Sequence, residues 1–278
     1  MKPTEAALSE QRQQEAQAGR WRRRPLIQSP FLRLILWVGL VVYLILALSS
    51  VEVNWARVAE GAGRGLEFLT AFTSPDFISR WDDIWAGLLE SLTMTVTSTV
   101  IGVALAVPVG LGAARNIAPL PIYWVCRGII AVSRTFQEVI IAILFVVMFG
   151  FGPFAGMITL AFATIGFMAK LLAEDIEDLD ERQVEAVRAT GGGWWQTLNY
   201  AVQPQVMPRL IGLSMYRLDI NFRESAVIGR VGAGGIGATL NTSINRYEYD
   251  TSAAVLLIII AIVLLSEYSS SFVRRWTQ

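Results

Sequence analysis

The stretch EDIEDLDERQVEAVRATGGGWWQTLNYAVQPQVMP, residues 174–208, is the longest strongly polar run after the first 30 residues. It lies between two apolar segments that are each long enough to cross a bilayer, which takes about 20 residues of helix. The pattern predicts two short helices that are separated by the glycines at 191–193 and closed by Pro204. A polar helix–glycine–helix element between two membrane spans is typical of a docking surface for a soluble partner.

The composition indicates a polytopic membrane protein. Of the 278 residues, 54% are hydrophobic and 17% are charged, whereas an average soluble domain has about 25% charged residues. The formal net charge is zero, so bulk charge predicts no nucleic-acid partner. The chain has no histidine, which excludes histidine-based catalysis and metal sites. Its single cysteine, Cys126, cannot form an internal disulfide, and we interpret it as buried and inert.

Apolar segments predict about six transmembrane helices. They lie at about 31–48, 88–114, 136–149, 154–172, 206–228 and 251–273. The alternative for the third is an earlier start, as a longer tilted helix. Arginines stand before the first span, at 20 and 22–24, and after the last, at 274 and 275. Because positive charges favour the cytoplasmic side, both termini are predicted in the cytoplasm. An even number of spans then places 174–208 on the same side.

The pattern divides the chain into three parts. Residues 1–30 form a polar cytoplasmic arm. Residues 31–83 hold the first span and an amphipathic segment on the outer surface, with a turn at 74–76. Residues 84–275 form the core, which contains the 174–208 element. We interpret the acidic residues at 174–185 as a solvated helix face, because they lack the ligand spacing of a calcium loop.

The predicted fifth span carries Arg217, Asp219, Arg223 and Glu224. Ionisable groups inside a membrane are costly and indicate a functional role, so these four are candidates for a translocation path. The alternative is that Asp219 and Arg223, which are four residues apart, only neutralise each other on one helix face.

Three further residues are candidates for the same path. Glu138 lies in the apolar third span, and Arg134 lies one helical turn before it, so an intrahelical pair is possible. Thr95 belongs to the hydroxyl-rich half of the second span. Its hydroxyl either lines a pore or bonds back to a helix carbonyl where helices pack closely.

Two nucleotide-binding motifs are excluded. Gly232, Gly234 and Gly237 match the dinucleotide fingerprint, but that fingerprint needs a preceding strand, and this one follows a charged span. We interpret these glycines as a bend where a helix is interrupted. The only lysines are Lys2 and Lys170, and neither belongs to a phosphate-binding P-loop. The chain is therefore expected not to hydrolyse nucleotide by itself, so any ATPase is a separate subunit.

The 174–208 element resembles the conserved cytoplasmic loop of ABC importer permeases. Glu185, Ala186, Gly191 and Pro204 stand at the spacing of that family. The departures from its usual residues are Val187, Ala201 and Gln203. In that family the loop forms a coupling helix that sits in a groove of the ATP-binding subunit. The resemblance implies the same role for the first helix here.

Three more motifs resemble the permeases of phosphonate importers. They are PVGLGAARN at 108–116, RTFQE at 134–138 and RESAVIGRVGAGGIG at 223–237. The resemblance covers about residues 85–275. It implies an all-α type I importer permease in the inner membrane of a bacterium. It further implies a homodimer that works with two ATP-binding subunits and an external substrate-binding protein.

The resemblance also implies the substrate class, which is a phosphonate or a related oxyanion such as phosphate or phosphite. Arg217 and Arg223 are the best anion ligands in the sequence, because a guanidinium fork suits such oxygens. The partner ATPase would bind ATP and magnesium, which leaves this chain as a transport subunit with no cofactor and no enzymatic activity. The alternatives are an ABC permease for another solute such as methionine, whose permeases carry similar glycine runs, and a secondary carrier driven by an ion gradient.

Overall fold

The computed structural model describes residues 29–50 and 54–277, with side chains to Tyr268. The predicted arm and its arginines at 20–24 lie outside these residues. The chain divides into two compact units, one up to Ala62 and one from Gly63. Within the described ranges the structure has helices and turns and no strand, so the all-α prediction is confirmed.

The first unit contains α1, Pro30–Ser49, and the first part of α2, Trp55–Ala71. Ser29 caps α1 by accepting a hydrogen bond from the backbone N–H of Leu32 at 3.2 Å. α1 is long and apolar enough to span a membrane. The predicted first span is thus confirmed as a helix.

The second unit contains the remaining helices. They are α3 (Trp81–Ala113), α4 (Leu120–Thr135), α5 (Glu138–Phe149), α6 (Pro153–Glu177), α7 (Glu181–Ala189), α8 (Trp194–Thr197), α9 (Gln203–Ile228), α10 (Ile236–Asn245) and α11 (Tyr249–Thr277). A π-helical turn, Leu198–Val202, joins α8 to α9, and a 3-10 turn, Gly229–Val231, follows α9.

The long helices α3 and α6 form the centre of this unit. A Cβ atom on Gly102 of α3 would approach Thr164 of α6 to 2.5 Å, and one on Gly110 would approach Leu172 to 2.9 Å. Small residues two turns apart therefore let the two backbones come close, as is common where helices pack in membranes. α4, α5 and α9 pack around this pair.

The predicted spans need two corrections. Among the described helices, α1, α3, α6 and α11 are each long and apolar enough to cross a membrane. α4 and α5 reach that length only together, and they are bent by 95° because Phe136 and Gln137 have extended backbones. The third span therefore starts earlier, as the alternative had it, but as two helices and not as one tilted helix. α9, the predicted fifth span, has five charged residues and is too polar to count as an apolar span.

The same bend overturns the predicted intrahelical pair of Arg134 and Glu138. Arg134 lies in the last turn of α4, whereas Glu138 is the first residue of α5. The one-turn spacing therefore does not apply across the two extended residues.

The glycine-rich turns 150–152 and 229–235 meet at one end of the unit, which we call the glycine-turn end. The backbone N–H of Gly152 donates to the carbonyl of Gly232 at 3.0 Å. α9 stops at Ile228 and the chain resumes as α10, which confirms the interpretation of these glycines as an interruption between helices. Glu90 and Ser91 of α3 accept hydrogen bonds from the backbone N–H groups of Gly235, the N-cap of α10, and Ile236, its first residue, both at 2.9 Å.

Candidate functional site

Four of the predicted path residues come together around Arg217. Arg217 and Glu224 lie two turns apart on α9, Arg134 comes from the end of α4, and Glu138 comes from the start of α5. Glu224, Glu138 and Arg134 all act electrostatically on Arg217. We call these four side chains the Arg217 cluster.

Arg217 is held by contacts on three sides. Its Nη2 donates to Oε2 of Glu224 at 3.2 Å, and its Nε donates to Oγ1 of Thr164 at 3.1 Å. The guanidinium lies over the ring of Phe167, 5.4 Å from the ring centroid. Only 4% of the side chain is exposed. The buried charge is thus paired and its orientation is fixed, which is what a low-dielectric position requires.

The cluster lies at one level of the helix bundle. Arg217, Thr164 and Glu138 are each eleven residues from the glycine-turn end of their own helix. Eleven residues of α-helix correspond to about 17 Å. This is about half the thickness of the hydrocarbon core of a bilayer, which is about 30 Å.

A cavity of about 360 Å³ opens beside the cluster at the α4–α5 bend. It is lined by Ser133, Arg134, Thr135, Phe136, Gln137, Glu138, Ala163, Phe167 and Arg217. Arg134 and Gln137 are exposed at its rim, whereas Arg217 is buried at its wall. The volume is in the range of small-molecule sites, and two guanidinium groups suit an anion.

The sequence interpretation missed Asn221. Its side chain is fully buried, and its amide donates to Oγ1 of Thr99 at 2.8 Å and to Oγ1 of Thr164 at 3.0 Å. It therefore connects α3, α6 and α9 one helical turn from Arg217, on the side of the glycine-turn end. Its position one turn after Arg217, on the same helix face, is the signal that could have identified it.

Asp219 and Arg223 form a separate ion pair along α9. Asp219 is buried, with 6% of its side chain exposed, whereas half of the Arg223 side chain is exposed. The structure thus contains the neutralising pair that was the alternative for these two residues. A contact between Arg223 and an anion remains a prediction.

Thr95 is buried, and its hydroxyl donates to the carbonyl of Ser91 at 2.7 Å. Thr99 bonds back to the carbonyl of Thr95 in the same way. The structure therefore favours the back-bonding alternative for this part of α3.

The 174–208 element contains the predicted short helix α7 and the glycine break. Asp180 caps α7 through its side chain. Gly191 has a φ of 83°, a left-handed conformation that favours glycine, and its N–H donates to the carbonyl of Arg188 at 2.9 Å. Glu185 and Ala186 are exposed on α7, so this face is free to contact a partner.

The prediction that Pro204 closes the second helix is wrong. Pro204 lies in the first turn of α9, and the helical run continues from Trp194 through the π-helical turn to Ile228. A proline inside a helix clashes with the carbonyl four residues before it and cannot donate a hydrogen bond. The wider π-helical turn immediately before Pro204 relieves this conflict.

One of the acidic residues is not solvated as predicted, and a second is exposed but paired. Asp175 is buried and pairs with Arg209 of α9 at 2.9 Å. Glu177 accepts hydrogen bonds from the backbone N–H of Arg115 at 2.8 Å and from Nη2 of Arg127 at 2.7 Å. These carboxylates therefore hold α6 against α9, α3 and α4.

The chain has the fold of the type I ABC importer permeases. A chain of the MetNI methionine ABC transporter in inward-facing conformations superimposes with a TM-score of 0.59. The alignment has 22% identity and covers 71% of this chain and 95% of that one. At this identity the likeness concerns the fold alone.

Sequence comparison shows the family. The family described as "Binding-protein-dependent transport system inner membrane component" matches residues 106–277, and the chain belongs to it. It is 43% identical to the phosphate-import permease protein PhnE of Mycolicibacterium smegmatis over 206 residues, which are 74% of this chain and 39% of that relative. It is 41% identical to the phosphite transport system permease protein PtxC of Stutzerimonas stutzeri, over 68% of this chain and 69% of that relative.

This membership confirms the predicted resemblance to phosphonate-type ABC permeases. The chain is a multi-pass inner-membrane transport subunit and not an enzyme. Its family works with ATP-binding subunits and a substrate-binding protein.

Proposed function

We propose that the chain forms the membrane path of an ATP-driven importer for phosphonate or a related oxyanion, such as phosphate or phosphite. The observation that supports this most is the Arg217 cluster, which places two guanidinium groups beside a polar cavity near the middle of the membrane. Relatives named for phosphate and phosphite transport support the same substrate class.

In this proposal the 174–208 element transmits the conformational change of the ATPase to the membrane helices. Exposed Glu185 and Ala186 of α7 contact the ATP-binding subunit, and the turn at Gly191 fixes the direction of α7 relative to the helical run that contains Pro204. That helical run continues without a break to Arg217, so a displacement of the 174–208 element by the ATPase moves the Arg217 cluster. ATP and magnesium are bound by two partner ATPases, and this chain carries no cofactor.

The functional unit in this proposal contains two copies of the chain, with the path between them. The end that carries α7 faces the cytoplasm, as do both termini. The glycine-turn end faces outward, towards the substrate-binding protein.

The test uses a bacterium without phosphate, phosphite and phosphonate importers. The chain is produced with its ATPase and binding protein, and uptake of labelled phosphate, phosphite and methylphosphonate is measured. Uptake of at least one is expected, and it should stop when the P-loop lysine of the ATPase is replaced. Uptake of methionine alone contradicts the substrate class. Uptake that survives ATP depletion but stops with an uncoupler contradicts the ATP-driven mechanism.

A further inference from the structure

The Arg217 cluster is balanced in charge. In formal charge, Arg134 and Arg217 contribute two positive charges, and Glu138 and Glu224 contribute two negative charges. An oxyanion that enters the adjoining cavity therefore meets two carboxylates as well as two guanidinium groups. Attraction by the arginines is offset unless one carboxylate moves away.

Glu224 occupies the position that an oxyanion needs on Arg217. Its Oε2 accepts from Nη2 of Arg217 at 3.2 Å, and oxyanions such as phosphonates bind guanidinium through the same N–H groups. The Nε of Arg217 is already held by Thr164, and the ring of Phe167 covers one face. An oxyanion that binds both Nη groups of Arg217 shares Nη2 with Glu224, so the two compete there.

Glu138 weakens the hold of Glu224 on Arg217. Glu138 acts electrostatically on Glu224, and it lines the same cavity as Arg217. Repulsion between neighbouring carboxylates is strong away from water. This repulsion lowers the cost of separating Glu224 from Arg217 when an anion arrives.

We propose that the cavity beside Arg134 and Arg217 is a transient oxyanion site and that Glu224 is its internal competitor. The oxyanion displaces Glu224 from Arg217, and the return of Glu224 to Arg217 expels the oxyanion. This inference rests on the proposed function and assigns Glu224 the role of a release residue. It explains how a site with two arginines in a low-dielectric position avoids trapping its substrate.

The direct test is Glu224→Gln, which removes the charge and keeps the shape. The permease–ATPase complex is purified in lipid nanodiscs, and inorganic phosphate and methylphosphonate are titrated by calorimetry without binding protein. We expect at least tenfold tighter binding than in the wild type. In proteoliposomes we expect a lower KM and at least a tenfold lower maximal rate of uptake, because release is slowed. Glu67→Gln, on exposed α2, is the control for charge removal and should change neither.

Glu224→Asp tests the same idea with the charge retained. The shorter side chain reaches Arg217 less well, so the affinity should fall between those of the wild type and Glu224→Gln, and part of the lost turnover should return. This variant is measured independently, and so the proposal remains testable if the glutamine variant does not assemble.

Arg217→Gln tests whether the oxyanion binds at Arg217. Added to Glu224→Gln, it should remove the gained affinity. Affinities that are the same in the wild type, Glu224→Gln and Glu224→Asp overturn the competitor role, and gained affinity that survives Arg217→Gln overturns the location. Either result leaves the proposed function intact if wild-type uptake is normal. Absence of oxyanion uptake by the wild type counts against the proposed function itself.

Discussion

Asn221 holds three helices together with one side chain. Its amide donates to hydroxyls on α3 and α6, and its backbone belongs to α9. Thr164, which accepts one of these bonds, also accepts from Arg217. The amide thus fixes the hydroxyl that orients the buried guanidinium, and its loss should affect both stability and transport.

We predict that Asn221→Leu lowers the free energy of unfolding by about 1 to 2 kcal/mol, because a hydrogen bond between membrane helices contributes about 1 kcal/mol. Leucine keeps the shape, and the two threonines keep their bonds to helix carbonyls. Thermal unfolding of the purified complex measures the effect. Asn199→Leu, at an exposed position, is the matched control. Equal melting temperatures for the two variants would show that the hydrogen bonds of Asn221 do not stabilise the fold.

The pair of Asp219 and Arg223 gives a second prediction at this scale. Arg223→Ala leaves the carboxylate of Asp219 buried without its cation, and one of its oxygens already lacks a hydrogen-bond partner in the structure. We expect a loss of about 1 to 3 kcal/mol in stability. Arg223→Ala combined with Asp219→Asn should restore both the yield of complex and uptake.

Thermal unfolding and phosphate uptake are measured on both variants. If the double variant assembles normally but takes up no phosphate, Arg223 has a role in transport beyond neutralising Asp219.

At the scale of elements, the turn at Gly191 sets the direction of α7. Gly191 adopts a positive φ and donates its N–H to Arg188. Proline fixes φ near −65° and has no N–H. The turn therefore cannot form with proline, and α7 loses its orientation towards the ATPase.

We predict that Gly191→Pro reduces uptake more than tenfold while the chain still inserts into the membrane. Uptake assays and membrane fractionation check the two parts. Gly193→Ala is the control, because Gly193 has a φ of −73° and an added Cβ would have only Oε1 of Gln196 within 4 Å, at 3.9 Å. Normal uptake by Gly191→Pro would contradict a coupling role for α7.

The sequence predicted individual elements better than their contacts. The glycines at 191–193 predicted a turn because glycine is favoured at positive φ, and that turn is present. The α4–α5 bend could not be predicted, since residues 134–138 contain neither proline nor glycine. Nor could spacing show that Glu138 and Arg217 line one cavity, because that depends on how α5 packs against α9.

At the scale of the whole molecule, the exposed polar side chains indicate a second copy. Arg134 and Gln137 are exposed at the level of Arg217, which the proposed function places near the middle of the membrane. Charged groups do not face lipid hydrocarbon at that depth. A second chain that faces the same cavity would cover them and enclose a path.

We predict two copies of the chain in the assembled transporter. Native mass spectrometry of the complex released from nanodiscs measures the number directly, with two ATP-binding subunits expected alongside. A complex with a single copy would leave the exposed arginine facing lipid and would contradict the proposed path.

The 95° bend between α4 and α5 has a consequence for hydration. The last carbonyls of one helix and the first amides of the next have no partners within their own helices, and unsatisfied backbone groups cost several kcal/mol each in hydrocarbon. α5 is only 12 residues long, about 18 Å, so the bend lies well below the surface. We therefore expect water to reach it even when no solute is being carried. The centre of the empty transporter is then hydrated. A hydrated ion that enters it need not lose its entire hydration shell.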